Sequence, residues 1–138
     1  MIQAYSNSIT VDTAASVPFN SVALVKGCSV EQQNLTTFIF NRRGIYLVSV
    51  DATGNTSGTS GNIALQLYKN GIARPEGFTS AASTAVADVE SLSFETLVQV
   101  EDDNALCRCD KEPTTIQIQN AGVAAQFEHI NIVITKLC

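Results

Sequence analysis

A chain of 138 residues, 45% hydrophobic and 15% charged, is long enough to bury one core, and residues 1–138 read as one domain. The net charge of −5 excludes a nucleic-acid backbone as partner, because Arg42-Arg43 is the only pair of adjacent cations. No apolar run approaches the length of a membrane-spanning helix, so membrane insertion is not expected; Met1-Ile-Gln-Ala-Tyr-Ser6 also lacks the basic and apolar segments of a signal peptide.

Apolar residues recur with period two along the whole chain, and no helical stripe of useful length appears. Ile2 to Val11 is a first strand, closed by Asp12-Thr-Ala-Ala-Ser16. Val17-Pro-Phe-Asn20 is a short kinked piece, since Pro18 belongs at a strand edge or start. Ser21 to Ser29 is a second strand, Glu31 to Asn34 a polar turn, and Leu35 to Phe40 a short strand entering the Asn41-Arg-Arg-Gly44 turn. Ile45 to Ala52 is the clearest strand. It puts Tyr46, Val48 and Val50 on one face and Ile45, Leu47 and Ser49 on the other.

Thr53 to Gly61 carries no packing side chain and is expected to be a flexible loop. Ile63 to Lys69 and Ile72 to Phe78 form a hairpin around Asn70-Gly71, two residues that tolerate the positive φ of the tightest turns. Thr79 to Ala87 is expected to be a loop, and Val89 to Val100 a strand. Glu101-Asp-Asp-Asn104 is a turn before a short strand, Ala105 to Cys109. Thr114 to Asn120 and Phe127 to Leu137 complete the set. In the last strand, strict alternation places Ile130, Ile132 and Ile134 on one face, opposite Phe127, His129, Asn131 and Val133. About ten strands at this spacing make an all-β sandwich or jelly roll rather than a βαβ fold.

Chemistry is sparse. His129 is the only histidine, which excludes a multi-histidine metal site of the cupin kind and gives no cysteine a base partner. No enzyme activity, cofactor or metal is expected. Glu101-Asn104 concentrates oxygen ligands but lacks the alternating acids, central Gly and distal Glu of a calcium loop, so it is read as a solvated turn. Cys28, Cys107, Cys109 and Cys138 allow three disulfide pairings; without a signal peptide, reduced thiols are the expectation, with Cys138 the most exposed.

Several of these segments, taken together, resemble the trimeric jelly rolls of the tumour necrosis factor and complement C-one-q heads. They are Val17-Pro-Phe19, Phe40-Asn-Arg-Arg-Gly-Ile-Tyr46, the Leu65-Gln-Leu-Tyr-Lys-Asn-Gly71 hairpin, Ser91-Leu92 through Glu101-Asp-Asp-Asn104 to Leu106, and the closing Ile130 to Leu137. The chain departs from that pattern in its Asp102-Asp-Asn104 turn and its Ile-rich last strand. The resemblance implies a two-sheet jelly roll and a homotrimer.

Apolar residues on both faces of Ile45 to Val50 and of Phe127 to Leu137 then suggest a second, intersubunit face, with Tyr46, Val48, Phe127, His129 and Val133 as its candidates. Arg42, Arg43, Asn55 and Arg74 are the candidate ligand residues. The signal-less, Ser/Thr/Ala-rich composition looks most like phage or bacterial-surface versions of this fold. The expected role is therefore a non-enzymatic head-fibre, decoration, receptor-binding or adhesion module, made in the cytoplasm and displayed on a virion or cell surface. Its partners would be itself, other virion or surface proteins, or a host glycan or protein. The alternative is a soluble complement-head-like recognition domain that binds a protein or glycan.

Overall fold

The computed structural model describes residues 1–57, 60–83, 89–101 and 113–138. They form ten strands and no helix: β1 (Ile2–Val11), β2 (Ser21–Val25), β3 (Val30–Gln32), β4 (Phe38–Phe40), β5 (Gly44–Thr56), β6 (Gly61–Lys69), β7 (Ile72–Ser83), β8 (Glu90–Val100), β9 (Thr114–Asn120) and β10 (Ala125–Lys136). Two five-stranded antiparallel sheets, ordered β2-β1-β10-β5-β8 and β3-β4-β9-β6-β7, pack face to face as a jelly roll.

The alternation seen in the sequence fills the space between them. β5 points Tyr46, Val48, Val50 and Ala52 inward, β8 contributes Leu92, Phe94, Val98 and Val100, and β9 contributes Ile116 and Ile118, all buried. Aromatic rings from separate segments meet edge-on: Phe19 with Phe38 at 5.6 Å and Phe40 with Tyr46 at 4.6 Å between centroids. The Val17-Pro-Phe19 connector is stitched down rather than free. Val17 N–H donates to the Ile118 carbonyl, and the Ser6 hydroxyl donates to the Pro18 carbonyl at 2.6 Å. The Asn70-Gly71 hairpin turn adopts positive φ at both residues, +53° and +79°, as its two-residue loop requires.

The strand expected over Ser21 to Ser29 ends at Val25, and of Leu35 to Phe40 only Phe38–Phe40 is strand. Glu31 lies in β3 rather than in a turn, because Val30, Glu31 and Gln32 pair with Phe40, Ile39 and Phe38. The Thr53–Gly61 loop is shorter than its composition suggests. β5 runs on to Thr56, with Thr53 facing Ser91 and Thr56 facing Ala125, and β6 begins at Gly61. Gly54 belongs to this extension: a Cβ there would stand 2.6 Å from the Gln126 carbonyl oxygen and 2.9 Å from the Phe127 ring. Its smallness is packing, not flexibility. Likewise Thr79–Ser83 continues β7 against β6, with Thr79 facing Leu65 and Ser83 facing Gly61.

Of the remaining loop assignments, residues 58–59 and 84–88 lie outside the described residues. So do the Asp102-Asp-Asn104 turn and the Ala105 to Cys109 strand with both of its cysteines.

Candidate interaction surfaces

The sheet β2-β1-β10-β5-β8 has an inner face in the core and an outer face that no other described element covers. What lies on each is decided by one bulge. In β10, Phe127 pairs with Gly54 while His129 pairs with Thr53, so Glu128 is an extra residue on that strand. An inserted residue shifts the phase of alternation by one. Ala125 and Phe127 therefore face inward before the bulge, and Ile130, Ile132 and Ile134 face inward after it.

This relocates three of the five candidate interface residues. Tyr46, Val48 and Phe127 are each 0% exposed within one chain and have no surface to offer a neighbour. Strict alternation had placed Phe127 beside His129; the bulge turns it into the core. His129 is exposed and Val133 half-buried, both on the outer face. Their neighbours there are residues the sequence reading had not singled out. Leu97 of β8, 57% exposed, lies directly across from Leu47 of β5, and Ile45 on the same strand is 37% exposed. Leu137, also exposed, follows Thr135 on this face and donates its N–H to the Ile45 carbonyl. Ile45, Leu47, Leu97, Val133 and Leu137 thus form one apolar stripe.

Polar groups lie beside the stripe on the same face, while edge strand β2 exposes Val22, Leu24 and Val25. His129 Nδ1 lies 2.8 Å from Asn7 Oδ1, and its ring is 6.3 Å from that of Tyr5. Gln3 Nε2 donates to Asn131 Oδ1 at 3.1 Å, and the Ser49 hydroxyl donates to Glu95 at 3.4 Å. These partners make His129 a member of a surface hydrogen-bond network. Among the described residues, no three His, Cys, Asp or Glu side chains gather as a metal cluster.

The candidate ligand residues separate by location. Arg42, Arg43 and Arg74 sit at the end of the sandwich where β5 begins and β8 ends, whereas Asn55 sits at the opposite end of β5, facing Gln126. Arg42 and Arg43, with Lys136 and Glu101, line a cleft of about 580 Å3. Arg74 lines an adjoining cleft of about 500 Å3 together with Lys69, Glu76 and Leu97. Arg74 is held there because Arg74 to Gly77 bulge out of β7, and the Gln66 amide donates to the Arg74 and Gly77 carbonyls.

Arg74 Nε pairs with Glu76 Oε1 at 3.0 Å, both side chains being nearly half exposed. Glu76's own backbone hydrogen bond, then the Arg74 guanidinium, hold the Glu76 carboxyl below its ordinary range. Cys28 and Cys138 are exposed free thiols at this same end of the molecule, near Asn41 and Ile45 respectively.

No protein-family model matches the chain, and no curated protein sequence matches it. Solved structures do. Eiger TNF from S. frugiperda is 13% identical with a TM-score of 0.66, covering 99% of this chain and 92% of that one. Murine APRIL at pH 8.5 is 11% identical with a TM-score of 0.63, covering 99% and 98%. The PRD1 vertex protein P5 is 14% identical with a TM-score of 0.62, covering 99% and 96%. Likeness over the full length at such low identity establishes the fold: this is a TNF-type jelly roll.

Proposed function

We propose that this jelly roll is a non-enzymatic homotrimeric module that serves a structural or adhesive role on a virion or bacterial surface. The observation that carries the reading is the apolar stripe Ile45-Leu47-Leu97-Val133 on a sheet face that no other described element covers. A lone exposed leucine needs no explanation, but a contiguous stripe across three neighbouring strands gains by being covered. Threefold assembly needs a second, different patch, since its contacts are head-to-tail. Edge strand β7 supplies exposed apolar residues for one, Phe78 at 46% and Ile72 at 66%.

The fold itself supports the trimer, because the jelly rolls this chain resembles are trimeric. The likeness to the PRD1 vertex protein P5 supports the virion as its place. Sedimentation of the purified chain tests the reading. A species of three chain masses at micromolar concentration is expected, and a stable monomer there overturns it.

A further inference from the structure

Eight Lys and Arg serve an acidic chain, and five of them line the two adjoining clefts at one end of the sandwich. The clefts share Ile45, Gln99 and Glu101 but differ in how their cations are used. In the smaller one, Arg74 is paired with Glu76, and Lys69 Nζ donates to the Gln99 carbonyl at 2.7 Å. That cleft satisfies its own charges. In the larger one, neither the Arg42 nor the Lys136 side chain has an ion-pair or hydrogen-bond partner among the described residues.

The frame that presents Arg42 is well anchored. The Tyr46 hydroxyl, reaching out of the core, donates to the Arg42 carbonyl at 2.7 Å. Asn41 N–H donates to the Ser29 carbonyl at 2.8 Å, and its side-chain amide donates to the Cys28 carbonyl at 3.1 Å. Lys136 is brought across by the end of β10, which passes so close to Gly44 that any Cβ there would strike the Lys136 side chain and the Cys138 carbonyl. Two cations on anchored backbone, with Gly44 between them, are left with positive charge that no described residue answers.

We propose that this cleft binds a sugar that carries a carboxylate. The Arg42 guanidinium and Lys136 ammonium would take the carboxylate, for which a planar fork and a point charge are suited. The Gln99 side chain and the Glu101 carboxylate accept hydrogen bonds from hydroxyl groups. Glu101 disfavours a purely anionic ligand such as inorganic phosphate and favours one that adds hydroxyl donors to its negative charge. The cleft residues named here belong to a single chain, so this inference does not rest on the trimer.

Titration of the 15N-labelled chain with methyl glucuronide, and with methyl glucoside as its neutral counterpart, tests it. Saturable shifts centred on residues 42–45, 99–101 and 136 with the glucuronide, and none with the glucoside, are expected. The affinity should weaken with added salt. Arg42→Ala and Lys136→Ala, both at exposed positions, should each weaken binding by roughly tenfold while leaving the remaining spectrum in place. Equal shifts with both sugars, no shift with either, or unchanged glucuronide binding in the double variant overturns the proposal. The solution mass measured on the same samples keeps a failure of this site distinct from a failure of the trimer.

Discussion

The two faces of the sheet β2-β1-β10-β5-β8 are built from alternate residues of the same strands, yet they do different work. Inward, Tyr46, Val48, Val50, Phe127 and Ile130 are sealed from solvent and hold the sandwich together. Outward, Ile45, Leu47, Leu97 and Val133 lie beside a network of Asn, Gln, Ser and His, a surface that neither demands burial everywhere nor is fully content with water. The first face belongs to the fold, and the second is left open by the described residues. A strand of mixed hydrophobic pattern shows that both faces are apolar, but only the register shows which residue serves which.

The comparison can be broken most forcefully from the inside. Phe127→Ala should destabilise the folded chain by about 3–5 kcal/mol, as loss of a fully buried aromatic does. Equilibrium denaturation reads this directly; a cost below about 1 kcal/mol would place Phe127 outside the core. Gly54→Val attacks the same contact from across the sheet, and overpacking against Phe127 and the Gln126 carbonyl should cost about 1–3 kcal/mol. Tyr46→Phe keeps the ring but removes the hydroxyl's bonds to the Arg42 and Ser29 carbonyls. A loss of about 1 kcal/mol is expected, with weaker methyl glucuronide binding because the Arg42 turn loosens.

The smallest effect should come from the exposed Arg74–Glu76 pair. A carboxyl whose folded-state pKa is lowered contributes stability that is present above its unfolded pKa and is lost as pH falls through the folded one. Solvent screens this pair, so Arg74→Ala should leave the melting temperature at pH 7 within experimental error.

Much of the architecture was legible in the sequence because period-two patterning and turn chemistry are local. β1 and β9 run over the residues expected, and the Asn70-Gly71 hairpin has the geometry its two residues favour. What could not be read depended on contacts between distant segments. Thr53-Gly-Asn-Thr56 has a loop's composition but is a strand, since β8 and β10 flank it and Gly54 leaves room for Phe127.

The bulge at Glu128 leaves no mark that periodicity detects, and it alone reverses the face of Phe127. Both faces of the strand that holds Tyr46 and Val48 are apolar, so periodicity alone offers these residues to an interface. Register assigns them to the core and leaves the outer role to Ile45 and Leu47. Leu97, whose strand alternates plainly with Leu92, Phe94 and Val98, was legible as outward-facing, but nothing local marked it as the centre of a patch. The cleft of Arg42 and Lys136 joins residues 94 positions apart and waits on the fold.

The central claim is that the outer stripe, and not the sealed inner face, holds the subunits together. Light scattering on Leu97→Asp beside the unaltered chain tests it most directly, with circular dichroism recorded on the same samples. For the unaltered protein, three times the 14.7 kDa chain mass is expected. For Leu97→Asp, a single chain mass is expected, with the strand spectrum and a cooperative melt retained. A variant that keeps the mass of the unaltered protein would contradict the account.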